Sequence, residues 1–333
     1  MHIKSTLAGA LFLCAASVTA APIAQAPLDA FIASMVETHG FDAQSLHALF
    51  AEVERADRIL DLMSRPAEKV KPWWEYRQLF ISQKRIIDGV AFWREHAETL
   101  ARAERKYGVA PEVIVAIIGV ETSYGRVTGN FSVLEALATL AFHYPGDNPA
   151  RSEFFRAQLE HFLLLAREEQ VSPLSLEGSY AGAMGMPQFM PENYRKLAVD
   201  FDHDGVRDIW RNPVDAIGSV ANYLQHHGWR RGGPVISAAS VPGDAGARYA
   251  QDTLPPSHTL GDLVAAGIAP HAQIGTSEDE VALYALEARN GSEYWIGFTN
   301  FYVISRYNPR IKYAMAVAHL AQEIRGRRQG SAF

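Results

Sequence analysis

Cysteine is almost absent from this chain of 333 residues, which contains one, Cys14. Cys14 lies within the first twenty residues, which carry the export signal described below, so the rest of the chain has no thiol and can form no disulfide. Small exported domains depend on disulfides, whereas a chain of this length can bury a sufficient core without them. We therefore expect a globular protein stabilised by packing alone, with 48% apolar residues to supply its core.

Long apolar runs and basic clusters are also lacking. After residue 20, no stretch is apolar for long enough to cross a bilayer, so we predict no membrane span. The net charge is -6 and the lysines and arginines are dispersed, which excludes a basic surface for nucleic acid. The chain has no GxSxG nucleophile elbow and no phosphate-binding glycine loop, and His226 and His227 lack the i to i+4 spacing of a zinc-binding helix.

The first twenty residues, MHIKSTLAGALFLCAASVTA, have the form of an export signal. A short basic start precedes an apolar stretch that ends in the small residues Val18 and Ala20, which predicts cleavage after Ala20. Leu13 stands before Cys14, where a lipidation motif normally has a small residue, and this argues against a lipid anchor. We expect the mature chain to be soluble in a bacterial periplasm.

The patterning of the remaining chain predicts a mainly α-helical protein of the α+β class. Apolar residues recur at helical spacing through most of it, whereas VALYALEARNGSEYWIGF has the pattern of two strands that meet at Asn290-Gly291. The last segment predicts an amphipathic helix that returns to the helical core. The predicted regions are a helical N-terminal region at 26–107, a catalytic core at 108–233, a small β-containing insert at 234–291 and a C-terminal segment at 292–330.

One residue is unexpected in its surroundings. In PEVIVAIIGVETSY, residues 111–124, almost every position from Val113 to Val120 is apolar, which predicts a helix buried on all sides with Glu121 near its end. Burial and the negative end of the helix dipole would both raise the pKa of the Glu121 carboxyl group and suit it to donate a proton. A structural glutamate that reaches solvent or pairs with Arg126 is an equally good interpretation of this helix alone. The polar, glycine-rich residues that follow favour a ligand site.

A second stretch, GSYAGAMGMPQFMP at 178–191, is too rich in small residues and proline for a regular helix or strand. We expect a tightly turned loop that lines a cleft. Gln188 stands between Pro187 and Phe189, a polar group in an apolar wall, as ligand sites often have. The alternative is a plain connector.

Together with these two stretches, the segments DIWRNPVDAIGSVANYLQHHGW, FTNFYVISRYN and KYAMAV make the chain resemble the membrane-bound lytic murein transglycosylase B family, which is lytic transglycosylase family 3 and glycoside hydrolase family 103. The resemblance extends from about residue 70 to the C-terminus, with the motifs in order. It implies a lysozyme-like core that cleaves the β-1,4 bond between N-acetylmuramic acid and N-acetylglucosamine in peptidoglycan. The cleavage uses no water and leaves a 1,6-anhydro sugar end.

The resemblance also implies roles for individual residues. Glu121 would be the single acid/base, protonating the glycosidic oxygen and then taking the proton of the muramic acid C6 hydroxyl. Gln188 would hydrogen-bond the sugar near the scissile bond, and Ser179, Tyr223 and Tyr302 would line the saccharide groove. Tyrosine suits a groove because its ring stacks on a sugar while its hydroxyl reaches the substituents. Core packing is an equally good interpretation of Tyr223 from its spacing.

A hydrolase of the two-carboxylate type would need a second acid across the cleft. The chain shows none in a comparable setting, because Glu135 lies on an amphipathic helix and Asp147 in a polar loop. The resemblance implies no catalytic cofactor and implies peptidoglycan strands as the partner, with cell-wall synthesis or remodelling proteins as further candidates. Two rival functions stay open, namely a muramidase that uses water on the same bond and a catalytically idle peptidoglycan-binding protein.

The segment DFDHDGVRD at 200–208 begins like a calcium-binding loop, with Asp at alternate positions and Gly at the sixth. An EF-hand would need Glu at the twelfth position, which is Arg211 here. The family carries a longer loop that is closed by an Asp in the DAIGS segment, and a solvated acidic turn is the alternative. The resemblance implies a structural Ca²⁺ or Na⁺ held by Asp200, Asp202, Asp204, the Val206 carbonyl oxygen and Asp215, with Asp208 left open.

Overall fold

The computed structural model describes residues 22–65 and 71–330, and the predicted export signal at 1–20 lies outside them. These residues form fifteen α-helices and two small antiparallel sheets. The mainly α-helical, α+β class predicted from the sequence is confirmed. No helix in the described part of the chain is both long and apolar enough to span a bilayer.

The N-terminal region is a series of short helices that pack on the core through their apolar residues. Their ends follow ordinary capping chemistry. Asp42 accepts a hydrogen bond from the Ser45 N–H at 2.8 Å, and Gly40 ends the first helix in the left-handed conformation, with φ 64°. The helices are α1 (Gln25–His39), α2 (Ala43–Ala51), α3 (Asp57–Ser64), α4 (Trp73–Phe80), α5 (Gln83–Glu95) and α6 (Ala97–Tyr107).

The centre of the core is α7 (Pro111–Thr122), which buries ten of its twelve residues. The predicted helix buried on all sides is confirmed, although it ends at Thr122 and not at residue 124. It packs against α5, α6, α11 (Pro213–His226) and α15 (Ile311–Gly330), so four helices hold its position. The other core helices are α8 (Val133–His143), α9 (Pro149–Glu168) and α10 (Pro191–Leu197).

Two short strands, β1 (Phe131–Ser132) and β2 (Glu177–Gly178), pair antiparallel beside the end of α7. The larger sheet belongs to the insert and has the order β4-β6-β7-β3-β5, with antiparallel pairing throughout. The predicted hairpin is β6-β7, turning at Gly291 with φ 80°. The elements of the insert are β3 (Ile236–Ser240), α12 (Ala245–Tyr249), β4 (His258–Thr259), α13 (Leu260–Ala265), β5 (Ala269–Pro270), β6 (Glu280–Glu287) and β7 (Ser292–Phe298).

The sheet extends beyond the range 234–291 proposed from the sequence, because β7 follows the hairpin turn and completes the strand pairing with β3 and β6. The chain then forms α14 (Thr299–Ser305) and α15. As predicted, the last helix returns to the core, where it contacts α5 and α7.

Three ring side chains join the insert to the helical core. His319 of α15 lies between Trp73 of α4 and Trp295 of β7, with ring centroids 5.5 and 4.4 Å away. His319 is 8% exposed, and within the described residues its Nε2 atom has no hydrogen-bond partner. Burial lowers the pKa of His319 to about 4, and the positive charge of Arg77 adds to the effect.

The lowered pKa of His319 predicts that the stability of the protein depends on pH. The pKa of His319 is about 4 in the folded protein and near 6.5 when it is unfolded, so between these values the unfolded state binds more protons. His319 should contribute up to about 3 kcal/mol to the free energy of unfolding. This contribution should be fully present above pH 6.5 and be lost as the pH falls through 4. We expect the free energy of unfolding of His319→Phe to fall less over this range. Urea titrations from about pH 4 to 7 measure it, and equal pH slopes for parent and variant would contradict the assignment.

Candidate active site

The end of α7 is shaped by three successive residues in the left-handed conformation. Ser123, Tyr124 and Gly125 have φ values of 52°, 65° and 81°, so the chain leaves the helix axis immediately after Thr122. The N–H groups of Ser123 and Tyr124 bond back to the last turn of the helix, at 3.1 and 3.2 Å. This tight reversal ends the helix two residues before the predicted position. It also leaves Glu121 in the final turn, at the surface of the core.

Thr122 connects this reversal to the second predicted loop. Its buried hydroxyl lies 3.0 Å from the carbonyl oxygen of Met186 and accepts a hydrogen bond from the Gly125 N–H at 3.0 Å. The Glu121 segment and the loop at 178–191 are therefore linked through one buried polar group. A buried hydroxyl bonded on both sides fixes its neighbours more firmly than an exposed one.

Gly119 is the one residue without a side chain between Val113 and Val120. A steric constraint explains why this position is glycine. The Tyr124 ring folds back over it, and a Cβ atom at Gly119 would lie 2.6 Å from the Tyr124 hydroxyl oxygen. That hydroxyl donates a hydrogen bond to the Arg85 carbonyl oxygen at 2.8 Å. The ring is thus held on both sides, and α7 needs a glycine beneath it.

Glu121 is half-buried and faces a group of tyrosines. The Tyr313 hydroxyl of α15 donates a hydrogen bond to its Oε1 atom. Burial raises the pKa of Tyr313 and of Tyr307 well above the ordinary value, and the negative charge of Glu121 raises both further. Burial likewise raises the pKa of Tyr223 to about 12; the charge of Arg306 opposes this shift and that of Glu121 adds to it. All three tyrosines stay neutral at physiological pH and can act as hydrogen-bond donors.

One alternative from the sequence paired Glu121 with Arg126, but in the structure this arginine has a different partner. Arg126 forms an ion pair with Asp88. Glu135 of α8 is also half-buried, and its pKa is raised by burial and by the charge of Glu54. That neighbour belongs to the N-terminal region, so Glu135 has its own environment, separate from the tyrosines around Glu121.

The predicted tight loop is confirmed. Ser179 anchors it: its N–H donates to the Ala183 carbonyl oxygen at 2.8 Å, and its Oγ atom accepts from the Ala183 N–H at 3.0 Å. Gln188 has the unusual φ of 51°, and its Nε2 atom donates to the carbonyl oxygens of Thr128 and Gly185, each at 3.0 Å. The Gln188 side chain therefore ties the loop to the segment that follows Glu121.

Of the two predicted groove tyrosines, the structure brings one to Glu121. Tyr223 is 4% exposed, its ring centroid is 4.5 Å from that of Tyr307, and its hydroxyl donates to the Arg306 carbonyl oxygen at 2.6 Å. It packs beneath the site, as the alternative interpretation allowed. Tyr302 is half-buried and lines a separate cavity of about 460 Å³ together with Arg306 and residues of the insert.

Tyr307 and Tyr313 are the neighbours of Glu121 that sequence reasoning missed. Both lie in the segments RYN and KYAMAV on which the family resemblance rests, but their spacing gives no sign of a contact with Glu121. Tyr307 is notable because its buried hydroxyl has no hydrogen-bond partner among the residues at 22–65 and 71–330.

In the acidic loop, Asp200, Asp202 and Asp204 come together. Each offers a carboxylate oxygen, and the three atoms lie within 4.8 Å of one another. Asp200 also accepts hydrogen bonds from the N–H groups of His203 at 2.7 Å and Gly205 at 2.9 Å, which fold the loop around it. Val206 is 55% exposed, and its N–H donates a hydrogen bond to the Asp204 Oδ1 atom at 2.8 Å.

Asp215 lies beneath this group. It is fully buried in the first turn of α11 and accepts hydrogen bonds from the N–H groups of Phe201 at 2.7 Å and Asp208 at 2.8 Å. Burial raises the pKa of Asp215, these hydrogen bonds oppose the shift, and the charges of Asp202 and Asp200 add to it. Asp215 thus joins the two ends of the loop.

Comparisons with known proteins identify the family of the chain. Residues 24–322 match the family model described as the transglycosylase SLT domain. The chain belongs to this family. It is 45% identical over 305 residues to membrane-bound lytic murein transglycosylase B of Escherichia coli (strain K12), which covers 88% of this chain and 81% of that protein.

Solved structures extend the likeness to the fold. Soluble lytic transglycosylase SltB1 from Pseudomonas aeruginosa is 50% identical, with a TM-score of 0.84 over 91% of this chain and 99% of that one. Escherichia coli lytic transglycosylase Slt35 in complex with calcium is 43% identical, with a TM-score of 0.82 over 91% of this chain and 94% of that one. The resemblance seen in the sequence motifs is confirmed, and the chain is a lytic transglycosylase that acts on peptidoglycan.

The fit of Tyr124 over α7 gives a prediction. Gly119→Ala should lower the free energy of unfolding by about 1–3 kcal/mol, because the new methyl group would displace the Tyr124 ring. It should also lower kcat, since the turn that follows Glu121 would move. The matched control is Gly326→Ala in α15, where nothing lies within 4 Å of the added atom and better helix propensity should stabilise the protein slightly. Denaturant titration and turnover assays measure both, and an unaltered Gly119→Ala protein would refute the steric account.

Proposed function

We propose that Glu121 is the single catalytic acid and base of this lytic transglycosylase. The observation that carries the proposal is the placement of its carboxyl group. It lies in the last turn of a buried helix and faces the neutral tyrosines Tyr223, Tyr307 and Tyr313. The loop at 178–191 is tied to the same helix end by Thr122. A carboxyl group in such partly desolvated surroundings can hold a proton and release it to a substrate oxygen.

The reaction needs two proton transfers at one position. Protonated Glu121 gives its proton to the glycosidic oxygen as the bond from that oxygen to C1 of muramic acid breaks. The resulting carboxylate then takes the proton of the C6 hydroxyl while the C6 oxygen bonds to C1. The proton is returned to Glu121, no water is consumed, and the product is the 1,6-anhydro sugar. The acetamido group of the substrate can stabilise C1 between the two steps.

Other residues would hold the glycan. Gln188 is fixed by its bonds to the Thr128 and Gly185 carbonyl oxygens, which leaves its amide oxygen to meet a sugar near the scissile bond. Ser179 would line the groove from the anchored end of the loop. Tyr223 would act from beneath by supporting Tyr307, and Tyr302 would contact the strand farther out, in its own cavity.

We further propose that the acidic loop binds a structural Ca²⁺. Three clustered carboxylates, with an oxygen atom of each within 4.8 Å of the others, are the oxygen ligands that this ion prefers. Asp200, Asp202 and Asp204 would hold the ion, with the Val206 carbonyl oxygen and Asp215 completing the site. The ion would supply charge balance and rigidity to the loop that joins α10 to α11.

The export signal and the substrate together favour a periplasmic location for the mature chain. Peptidoglycan strands are the partner that this proposal requires.

A comparison of Glu121→Gln with the parent tests the acid/base role. The parent should release muropeptides from sacculi that are one water lighter than those of a hydrolase, whereas Glu121→Gln should lose at least about 10²-fold in kcat. Glu135→Gln, a change at another half-buried helical glutamate, is the matched control and should remain active. Mass spectrometry of the products identifies both outcomes. Hydrated reducing ends would indicate a muramidase. An active Glu121→Gln protein would exclude Glu121 as the catalytic acid and base.

Removal of the metal tests the acidic loop. Because a ligand that binds only the folded state stabilises it by about 2.7 kcal/mol at 100 times its Kd, Ca²⁺ should raise Tm by several degrees after chelator treatment. Asp202→Asn should abolish this shift, whereas Asp147→Asn, a change in an exposed loop elsewhere, should keep it. Thermal unfolding of the three proteins with and without Ca²⁺ measures these shifts. A parent Tm that does not change with Ca²⁺ would contradict the metal site and favour a solvated acidic turn.

A further inference from the structure

The segment that follows Glu121 contains two residues in a costly backbone conformation. Ser123 and Tyr124 are not glycines, yet both adopt the left-handed conformation, with φ values of 52° and 65°. Such residues keep this conformation only when their surroundings over-determine it. Ser123 lies two positions after Glu121, so the groups that hold these two residues also limit how far the glutamate can move.

One residue of α5, Arg85, bonds to both of them. Its Nη2 atom donates a hydrogen bond to the Ser123 Oγ atom at 3.1 Å, and its carbonyl oxygen accepts the hydrogen bond of the Tyr124 hydroxyl at 2.8 Å. The side chain thus holds the first residue of the reversal, and the main chain holds the second. We propose that Arg85 is a positioning residue that keeps Glu121 in place for proton transfer, an inference that rests on the function proposed above.

The guanidinium group of Arg85 is itself held in place. Its Nη1 atom donates a hydrogen bond to the Leu79 carbonyl oxygen at 3.1 Å, and its Cζ atom lies 5.4 Å from the centroid of the Phe80 ring. Leu79 and Phe80 are the last two residues of α4, so this arginine joins the end of α4 to the reversal after α7. A planar group with several donors in a fixed arrangement suits this task, because one hydrogen bond sets the direction of the other.

The same face of α5 accommodates the Tyr124 side chain. A Cβ atom at Gly89 would lie 2.5 Å from the Tyr124 hydroxyl oxygen, so α5 needs a glycine here just as α7 needs Gly119. The Phe92 ring packs against the Tyr124 ring, with centroids 5.6 Å apart. Arg85, Gly89 and Phe92 follow one another at helical spacing and therefore lie on one face of α5. That face fits the reversal, and Arg85 is its polar member.

The positive charge of Arg85 is not used in an ion pair. Within the described part of the chain, its guanidinium group donates only to two neutral acceptors, the Leu79 carbonyl oxygen and the Ser123 hydroxyl oxygen. Burial lowers the pKa of Arg85, because it disfavours the charged form. A partly buried charge can often be replaced by an apolar side chain without loss of stability. The geometry that the arginine imposes on the reversal therefore explains this residue better than stability does.

Steady-state kinetics of Arg85→Met on soluble peptidoglycan strands test the proposal. Methionine keeps much of the apolar bulk and removes both hydrogen bonds of the side chain. We expect kcat to fall about 10- to 100-fold, because a misplacement of about 1 Å in a reacting group can cost 10²-fold. KM should change little, since Arg85 acts on the glutamate and not on the substrate. A raised KM with the parent's kcat would make Arg85 a substrate-binding residue and overturn the proposal.

A double-mutant cycle tests whether the side chain acts through Ser123. Ser123→Ala is a smaller change that removes only the hydroxyl acceptor, and it should also lower kcat. If both residues act through one hydrogen bond, the double variant should have a kcat no lower than that of the more impaired single variant. If the two losses multiply instead, Arg85 acts independently of Ser123 and the proposed route is wrong.

Arg231→Met is the matched control for a general effect on the fold. Arg231 also donates two hydrogen bonds to neutral acceptors, the carbonyl oxygens of Glu104 and Arg105 in the last turn of α6, at 3.0 and 2.9 Å. Its loss should leave kcat unchanged even if Tm falls, and thermal unfolding should show that every variant is folded at the assay temperature. Equal losses of kcat in Arg85→Met and Arg231→Met would indicate general destabilisation and overturn the proposal.

The Glu121→Gln protein separates this inference from the function on which it rests. A parent-like kcat in Arg85→Met beside an inactive Glu121→Gln would overturn the positioning role and leave the role of Glu121 intact. Activity of Glu121→Gln would instead contradict the proposed acid and base, whatever the result for Arg85→Met.

Discussion

The proposed active site depends on the hydrogen bonds of one buried hydroxyl group, that of Thr122. It holds the reversal that follows Glu121 on one side and the Met186 carbonyl oxygen on the other. Both loops of the site are irregular, with left-handed residues at Ser123, Tyr124 and Gln188, and such loops keep one conformation only when their surroundings fix them. The rigid apolar helix α7 supplies that support, because four other helices pack around it.

Much of this could be read from the sequence, since the relevant signals are local. The unbroken apolar run predicted a buried helix, the glycine and proline content predicted a tight loop around Gln188, and the Asn290-Gly291 pair predicted a hairpin. Alternating aspartates predicted that Asp200, Asp202 and Asp204 lie together. Each of these depends on residues within a few positions of one another, where propensity and spacing act directly.

What could not be read depends on contacts between distant segments. Tyr307 and Tyr313 approach Glu121 only because α15 folds back on α7. The spacing of apolar residues in the sequence does not indicate such a contact. Tyr223 illustrates the reverse case, because its helical spacing suited both packing and groove lining, and the structure uses its hydroxyl to hold the Arg306 carbonyl oxygen. The early end of α7 also involves a distant contact, because the Tyr124 hydroxyl bonds to the Arg85 carbonyl oxygen, 39 positions away. The Tyr124 ring needs the space above Gly119, and the chain turns back to provide it.

The return of α15 has a consequence for the order in which the enzyme becomes active. The Tyr313 hydroxyl and the Glu121 carboxyl group are 192 positions apart in the chain, and the whole insert lies between them. During synthesis, Glu121 therefore leaves the ribosome long before the tyrosine that bonds to it. Chains that end before α15 lack the Tyr313 hydroxyl that bonds to Glu121, so the proposed site is complete only when the last helix has docked.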